Sequence, residues 1–523
     1  MTELNESSSS EIYIIPEPVK IVQEDGEFII NNKTTILTDS KSIQNAEFLK
    51  QILTPATDLK LTIKNLTQKE EDSNVIILKV VDNEKTLTSE GYSLQVSPTE
   101  VNLSAPTPAG IFYGIQTLRQ LLPPEIESSN VKNMEWAIPC VSIKDYPRFS
   151  WRGFMLDESR HFFGKNVVKK LLDQMARLKL NKFHWHLTDD QGWRIEIKKY
   201  PLLTEIGSKR KGTITPRKKL DGIPVSGFYT QNDLKEIIAY AAERFIVIIP
   251  EIDVPGHTTA LLASYPELSC TGGPFEVSTH FGIHKEVCCI GKERTFEVVQ
   301  GILNEIIEIF PSEIIHTGGD ETPTRRWKRC PICQARLEKE ELEKEGDLQI
   351  YFTNRIADYL SSKGRRLMGW NEILNEKLSN KAICQYWTFN FDMVLDHIRK
   401  GRDLIMSEMS AVYLNYPYKL IPLSKTYLYD PIPKELEKKY HSYILGLEAC
   451  LWAEFIPNIK RLEWQAFPRL IAVAETGWTP KKKKKFRSFL TRLDSYLKRL
   501  SYYEINFAKK EEFEEKEGNI QNK

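Results

Sequence analysis

The chain contains no apolar run of membrane-spanning length, which excludes a transmembrane helix read from sequence. It carries almost no excess of either charge. Its 72 Lys and Arg stand against 71 Asp and Glu, a formal net charge of +1, so nothing pulls it as a whole toward nucleic acid or an anionic membrane. The N-terminus lacks a basic region followed by an apolar core, so no secretory leader is visible. The resulting expectation is a cytoplasmic protein, or an exported one had a leader been removed. Cysteine is sparse: eight in 523 residues do not make a disulfide scaffold. Cys330-Pro-Ile-Cys333 has the spacing of half a zinc site. With no second pair close by in sequence it reads as a loop with two thiols, and adjacent Cys288 and Cys289 are poorly placed for an ordinary bridge. No metal and no cofactor are expected.

What is present is the balance of a soluble globular protein, 41% hydrophobic and 27% charged, in a chain long enough for two domains of which one is large. Residues 1–148 alternate short β-rich runs (27–37, 74–81, 92–97, 101–105) with polar turns. A helix over 110–122 is marked by Ile111, Phe112, Ile115 and Leu118 on one face and stopped by Pro123-Pro124. This part reads as a small α/β supporting domain, with a linker around Asp145-Tyr146-Pro147-Arg148.

From Trp151 the pattern becomes strand, polar loop, helix, repeated. Eight apolar runs (153–156, 182–187, 245–250, 313–316, 366–370, 382–387, 403–407 and 444–451) alternate with helical segments. The clearest helix spans 166–180, with Val168, Leu171, Leu172, Met175 and Leu178 in one stripe. Eight such repeats predict a (β/α)8 TIM barrel over 149–508, an amphipathic segment over 464–475 near its end, and a charged, frayed tail over 509–523. The five lysines from Lys481 to Lys485 lack interleaved aromatics and read as a solvated loop, with no nucleic-acid partner expected.

The polar residues fall beyond the ends of the predicted strands, where a barrel gathers its active site. Asp157 and Arg160 follow the first, Asp189 and Asp190 the second, and Glu251, Asp253 and His257 the third. Asp320 and Glu321 follow the fourth, Trp370 and Trp387 end the fifth and sixth, Tyr413 lies past the seventh, and Trp452 and Glu454 close the eighth. Gly318-Gly319 permits a sharp turn before the two carboxylates. On an extended backbone Asp320 and Glu321 would point to opposite sides and serve one ligand from different directions. Tryptophan faces stack on sugar rings while charged groups grip hydroxyls, so a neutral polyhydroxylated ligand fits this set.

The motifs Trp151-Arg152-Gly153-Phe154-Met155-Leu156-Asp157 with Ser159-Arg160-His161-Phe162, then His184-Trp185-His186-Leu187-Thr188-Asp189-Asp190-Gln191-Gly192-Trp193, make the match specific. Pro250-Glu251-Ile252-Asp253-Val254-Pro255-Gly256-His257, the Gly-Gly-Asp-Glu stretch, Trp370, Trp387, Tyr413-Leu414 and Leu451-Trp452-Ala453-Glu454 extend it. In this order, over 151–480, the chain resembles glycoside hydrolase family 20, the β-N-acetylhexosaminidases, and residues 12–124 resemble the small domain preceding the barrel there.

The resemblance implies an exo-acting, retaining, substrate-assisted hydrolase, in which the 2-acetamido oxygen of the sugar replaces an enzyme nucleophile. It implies Glu321 as general acid and base, Asp320 steadying the acetamido nitrogen, and Tyr413 donating to the acetamido oxygen. Trp370, Trp387 and Trp452 would wall the acetamide pocket, Arg160 and Glu454 would bind the 3- and 4-hydroxyls, and Asp189 and His257 would tune the acid. Many members carry Asp where this chain has Asn415, at the corner of the 6-hydroxyl. The implied partner is a glycan with a terminal β-linked N-acetylhexosamine; no membrane partner is implied, and a homodimer is among the open assembly states. Two other readings stand beside it: a catalytically silent sugar-binding barrel, and a metal-dependent hydrolase built on His184, His186 and Asp189, of which the two histidines share one strand face.

Overall fold

A computed structural model of the chain describes residues 11–68, 74–82, 87–214 and 219–513. It divides into two compact units. One comprises 1–148 with 177–179 and 474–507, the other 149–176, 180–473 and 508–523.

The first unit is a mixed seven-stranded sheet. Its order is Lys20–Ile30, Trp136–Asp145, Tyr92–Val96, Glu100–Ala105, Val75–Val80, Thr35–Thr38 and Thr62–Asn65. The first three pairings are antiparallel and the last three parallel. The expected helix runs Pro108–Leu121, begun by Thr107, whose side chain accepts from the Gly110 N–H, with proline at a position where a missing N–H costs nothing. Asp145 is not linker. It is the last residue of the Trp136–Asp145 strand and is fully buried, where it accepts from Lys179 Nζ at 3.0 Å and from the Trp478 indole at 2.9 Å. The run 27–37 is likewise two strands parted by a turn, since Asn31 and Thr34 bond across it. In the lysine run, Lys483 bonds to the carbonyls of Pro18 and Val19 and Lys484 to Thr476, so two of the five are structural.

The second unit is a closed barrel of eight parallel strands: Trp151–Asp157, Lys182–His186, Val247–Glu251, Ile314–His316, Arg366–Trp370, Ile383–Tyr386, Leu404–Met406 and Ile444–Leu451. Each lies within or across one of the eight predicted runs. Strands buried on both faces need apolar residues throughout rather than in alternation, which is why they appear as continuous runs. One layer of the interior is Trp151, Ile249, Met368, Ile383 and Ile405, and a second contains Met155, Trp370, Tyr413, Cys450 and Trp452.

Two helical expectations change at their ends. The helix after the first strand is Lys165–Arg177, terminated early because Lys179 takes a left-handed φ of 58°. The segment 464–475 is two helices, Ile459–Ala466 and Arg469–Trp478, split at Phe467-Pro468 because proline has no N–H to continue the ladder. At the C-terminus, Lys510–Phe513 forms a helical turn with Phe513 buried rather than fraying; an apolar anchor holds it. Residues 514–523 of the expected tail lie outside the described residues. Among the described residues, no helix is long and apolar enough to cross a membrane.

Candidate active site

The first strand delivers Asp157, whose Oδ1 accepts the backbone N–H groups of Ser159 and Arg160. Its Oδ2 accepts from Arg160 Nη1 at 3.2 Å and from the Ala453 N–H at 2.9 Å. Arg160 is thereby fixed at the mouth of the barrel. Its Nη2 lies 2.6 Å from Asp189 Oδ2, its Nε donates to Gln191 Oε1, and its guanidinium lies over Trp452 at 5.1 Å.

Behind Arg160 runs a buried chain of alternating carboxylates and imidazoles. Glu448 Oε1 meets His184 Nδ1 at 2.7 Å, and His184 Nε2 stands 3.1 Å from Glu251 Oε2. The same oxygen bonds to His186 Nδ1, whose Nε2 meets Asp189 Oδ2 at 3.0 Å. Asp189 Oδ1 then lies 3.2 Å from His257 Nδ1, and His257 Nε2 stands 3.6 Å from both Asp320 Oδ2 and Glu321 Oε2. Burial alone would neutralise these imidazoles, but the flanking carboxylates keep them charged. Glu448 and Glu251 lift His184 to about 9. Glu251 and Asp189 carry His186, and Asp189 and Asp320 carry His257, well above the usual range. In return, against the cost of burial, Arg160 and His257 hold Asp189 well below the usual carboxylate range, and three histidines do the same for Glu251.

The turn that presents the two acids depends on backbone conformations closed to most residues. Gly318 and Gly319 have φ of +63° and +91°. A Cβ on Gly318 would sit 1.8 Å from Asp253 Oδ1, the atom that accepts the Gly319 N–H. Glu321 itself is left-handed at φ 44°. The stretch is therefore not extended, and the expected alternation of Asp320 and Glu321 to opposite sides gives way to convergence on His257. Asp320 is buried and its Oδ1 has no hydrogen-bond partner among the described residues, whereas the Glu321 side chain is 34% exposed. Burial raises the Asp320 carboxyl to about 6, with Glu251 and Glu321 adding to the rise and His257 opposing it.

Ten of the eleven predicted site residues line one open cavity of about 170 Å³: Arg160, His257, Asp320, Glu321, Trp370, Trp387, Tyr413, Asn415, Trp452 and Glu454. Asp189 stands behind the wall, linking Arg160 to His257. Trp370 is locked by its indole N–H on Glu251 Oε1 at 2.9 Å and lies 5.6 Å from Trp452. Trp387 lies nearly parallel to Tyr413 with ring centroids 6.0 Å apart. The Asn415 Oδ1 is buried without a partner among the described residues, while its carbonyl accepts from Gln465.

Sequence reasoning missed several contributors. Met409 and Tyr416 complete the wall. Glu372 accepts the Trp387 indole N–H at 2.9 Å, and burial together with Asp320 lifts its carboxyl to about 8. Glu372 stands two residues after Trp370 in Gly369-Trp370-Asn371-Glu372, whereas nothing local marks Glu448, an acid inside an apolar strand. As expected, His184 and His186 share a strand face and both reach Glu251. Their ring nitrogens face the carboxylates of Glu448, Glu251 and Asp189. The reading of Cys330 and Cys333 as two isolated loop thiols is corrected: folding brings Cys270 and Cys289 to them from a different loop.

Residues 149–481 match the family model "Glycosyl hydrolase family 20, catalytic domain", and 11–146 match "Glycosyl hydrolase family 20, domain 2". The chain is 42% identical over 509 residues to a beta-hexosaminidase of Porphyromonas gingivalis, an alignment covering 95% of this chain and 64% of that longer protein. It superposes with a TM-score of 0.83 and 31% identity on an exo beta-N-acetylglucosaminidase from Vibrio harveyi, covering 95% of this chain and 78% of the other. A Streptomyces plicatus N-acetyl-beta-hexosaminidase gives the same score and identity, over 95% and 96% of the two chains. With both of its characteristic domains matched in order and the barrel closed around the two adjacent acids, the chain belongs to glycosyl hydrolase family 20.

Proposed function

We propose that the chain is an exo-acting, retaining β-N-acetylhexosaminidase that removes terminal N-acetylglucosamine or N-acetylgalactosamine. The observation that carries this reading is the division of labour in the acid pair: Asp320 is buried with Oδ1 unpartnered, beside a Glu321 that reaches solvent. The cavity, smaller than the roughly 300–1,000 Å³ that holds a drug-sized ligand, suits one sugar ring against Trp370, Trp387 and Trp452. The Vibrio harveyi relative, solved in complex with N-acetylglucosamine, supports the ligand class.

In the first step the acetamido oxygen forms a bond to the anomeric carbon as the glycosidic C–O bond breaks, and the proton on Glu321 passes to the leaving oxygen. Asp320 Oδ1 accepts from the acetamido N–H and its negative charge offsets the positive charge that grows on the oxazolinium ring. Tyr413 donates to the acetamido oxygen and aims it. As Glu321 becomes anionic, the His257 imidazolium 3.6 Å away compensates it. In the second step Glu321 takes a proton from water as that water opens the ring, restoring the β-configuration. Arg160 and Glu454 hold the 3- and 4-hydroxyls. The test is release from a panel of chromogenic β-glycosides. Turnover of N-acetylglucosaminide and N-acetylgalactosaminide is expected, and comparable turnover of a plain β-glucoside would overturn the substrate-assisted reading.

A further inference from the structure

We propose that Cys270, Cys289, Cys330 and Cys333 bind one structural zinc ion, which clasps together the loop carrying His257 and the loop carrying Asp320 and Glu321. The four ligand atoms all lie within 4.8 Å of one another. Three of their separations are 3.8 Å (Cys270 to Cys333), 3.7 Å (Cys289 to Cys330) and 3.5 Å (Cys289 to Cys333). A tetrahedral centre with zinc–sulfur bonds of about 2.3 Å has sulfur–sulfur edges of about 3.8 Å. None of the four is in a disulfide; Cys289, Cys330 and Cys333 are buried and Cys270 partly so.

Three segments supply the ligands. Cys330-Pro331-Ile332-Cys333 opens the helix Pro331–Lys339 with proline at its first position, putting two sulfurs on one side of the chain. Cys289-Ile290-Gly291 presses against it: a Cβ on Gly291 would fall 2.4 Å from both the carbonyl carbon and the oxygen of Ile332, so only glycine lets the two backbones meet. Cys270 arrives from the turn after the helix Pro266–Leu268, which is held by the bond from the Cys289 N–H to the Leu268 carbonyl.

The surroundings suit a centre with four thiolates around a divalent ion, which keeps a net negative charge. Lys292 Nζ donates to the Ser269 carbonyl at 2.8 Å, next to Cys270, and Arg336 donates to the Gly291 carbonyl. Arg326 pairs with Glu286 across the same two loops. A soft, tetrahedral, all-sulfur set selects zinc over calcium or magnesium, and the absence of an open ligand position makes the centre structural rather than catalytic. The loops it joins are those of the acid pair and its histidine: the Cys288 N–H bonds to the Pro255 carbonyl, and the Trp327 indole N–H to the Cys288 carbonyl. The zinc assignment stands independently of the reaction proposed above.

The test is elemental analysis of the full chain, expressed without a histidine tag and purified in a mild phosphine reductant. One zinc per chain is expected, released in step with thiol modification by an organomercurial. The double variant Cys289→Ser/Cys330→Ser should lose it, while Cys288→Ser, whose sulfur lies outside the cluster, should retain it. Cobalt exchanged into the wild-type chain should show the intense visible bands of a tetrahedral tetrathiolate centre. The zinc-free double variant should melt at a lower temperature than Cys288→Ser. Should the double variant fail to fold, the mercurial titration of the wild type decides alone. Substoichiometric zinc in a chain with all eight thiols free, iron in place of zinc, or disulfides among these four cysteines would each overturn the assignment.

Discussion

Nε2 of His257 lies 3.6 Å from Oε2 of Glu321, at the end of a buried file of charges that begins at Glu448 in the opposite wall of the barrel. The acid that faces solvent is thus backed by a cation whose own charge is held by Asp189.

Glu321→Gln keeps the shape of the side chain and removes its transferable proton. Hydrolysis of an N-acetylglucosamine disaccharide is expected to fall by roughly 10²–10⁴-fold, the usual contribution of a positioned acid. A substrate with a strongly acidic phenol as leaving group needs little protonation, so its first step should fall much less. Near wild-type hydrolysis of the disaccharide would remove Glu321 from the role.

Asp320 sets an acid limb. Burial raises its carboxyl to about 6, and in the proposed reaction the anion is the form that would accept from the acetamido N–H and steady the oxazolinium. As pH falls through that value the free enzyme gains a proton there, and kcat/KM should fall with it. His257⁺ pulls the Asp320 carboxyl down. His257→Gln removes that cation, so the limb should move to higher pH. A pH profile whose limb stays in place or moves to lower pH in the variant would contradict the coupling.

Asn415 should influence tolerance at the 6-position. The amide is neutral and lines the cavity, where its Oδ1 has no protein partner. Asn415→Asp places an anion there. The ratio of kcat/KM for the 6-sulfated N-acetylglucosaminide to that for the unsulfated one should drop, because like charges repel in a partly dehydrated pocket. A flat or rising ratio would mean that Asn415 does not face the 6-position.

The barrel was legible because parallel strands buried on both faces are apolar runs, and the pocket because its residues sit just past the ends of those runs. What escaped was long-range or locally disguised. The strand Trp136–Asp145 carries Pro139, which in sequence argues against a strand, yet it pairs between the Lys20–Ile30 and Tyr92–Val96 strands. Glu448 is 264 residues from His184, and without that partner it is an acid misplaced in a core strand. Cys270 and Cys289 lie 63 and 44 residues before Cys333, too far for any spacing rule to join them. The convergence of Asp320 and Glu321 escaped because it depends on a left-handed residue, a conformation that glutamate rarely signals.

The file of charges also bears on how the barrel closes. Isoleucine against leucine hardly distinguishes a strand from the same strand slid along its neighbour by two residues, since both placements bury similar apolar surface. Glu448, His184, His186 and Glu251 sit in the eighth, second and third strands, and each finds its partner only in the observed alignment, with Glu251 opposite His186 and Ile249 opposite His184. A third strand slid so that Glu251 passed beyond His186 would separate that pair, at a cost of about 3–5 kcal/mol for a broken buried pair. The same buried groups that reach Asp320 through Asp189 and His257 therefore favour, among near-equivalent apolar pairings, the one in which the strands can finish the circle.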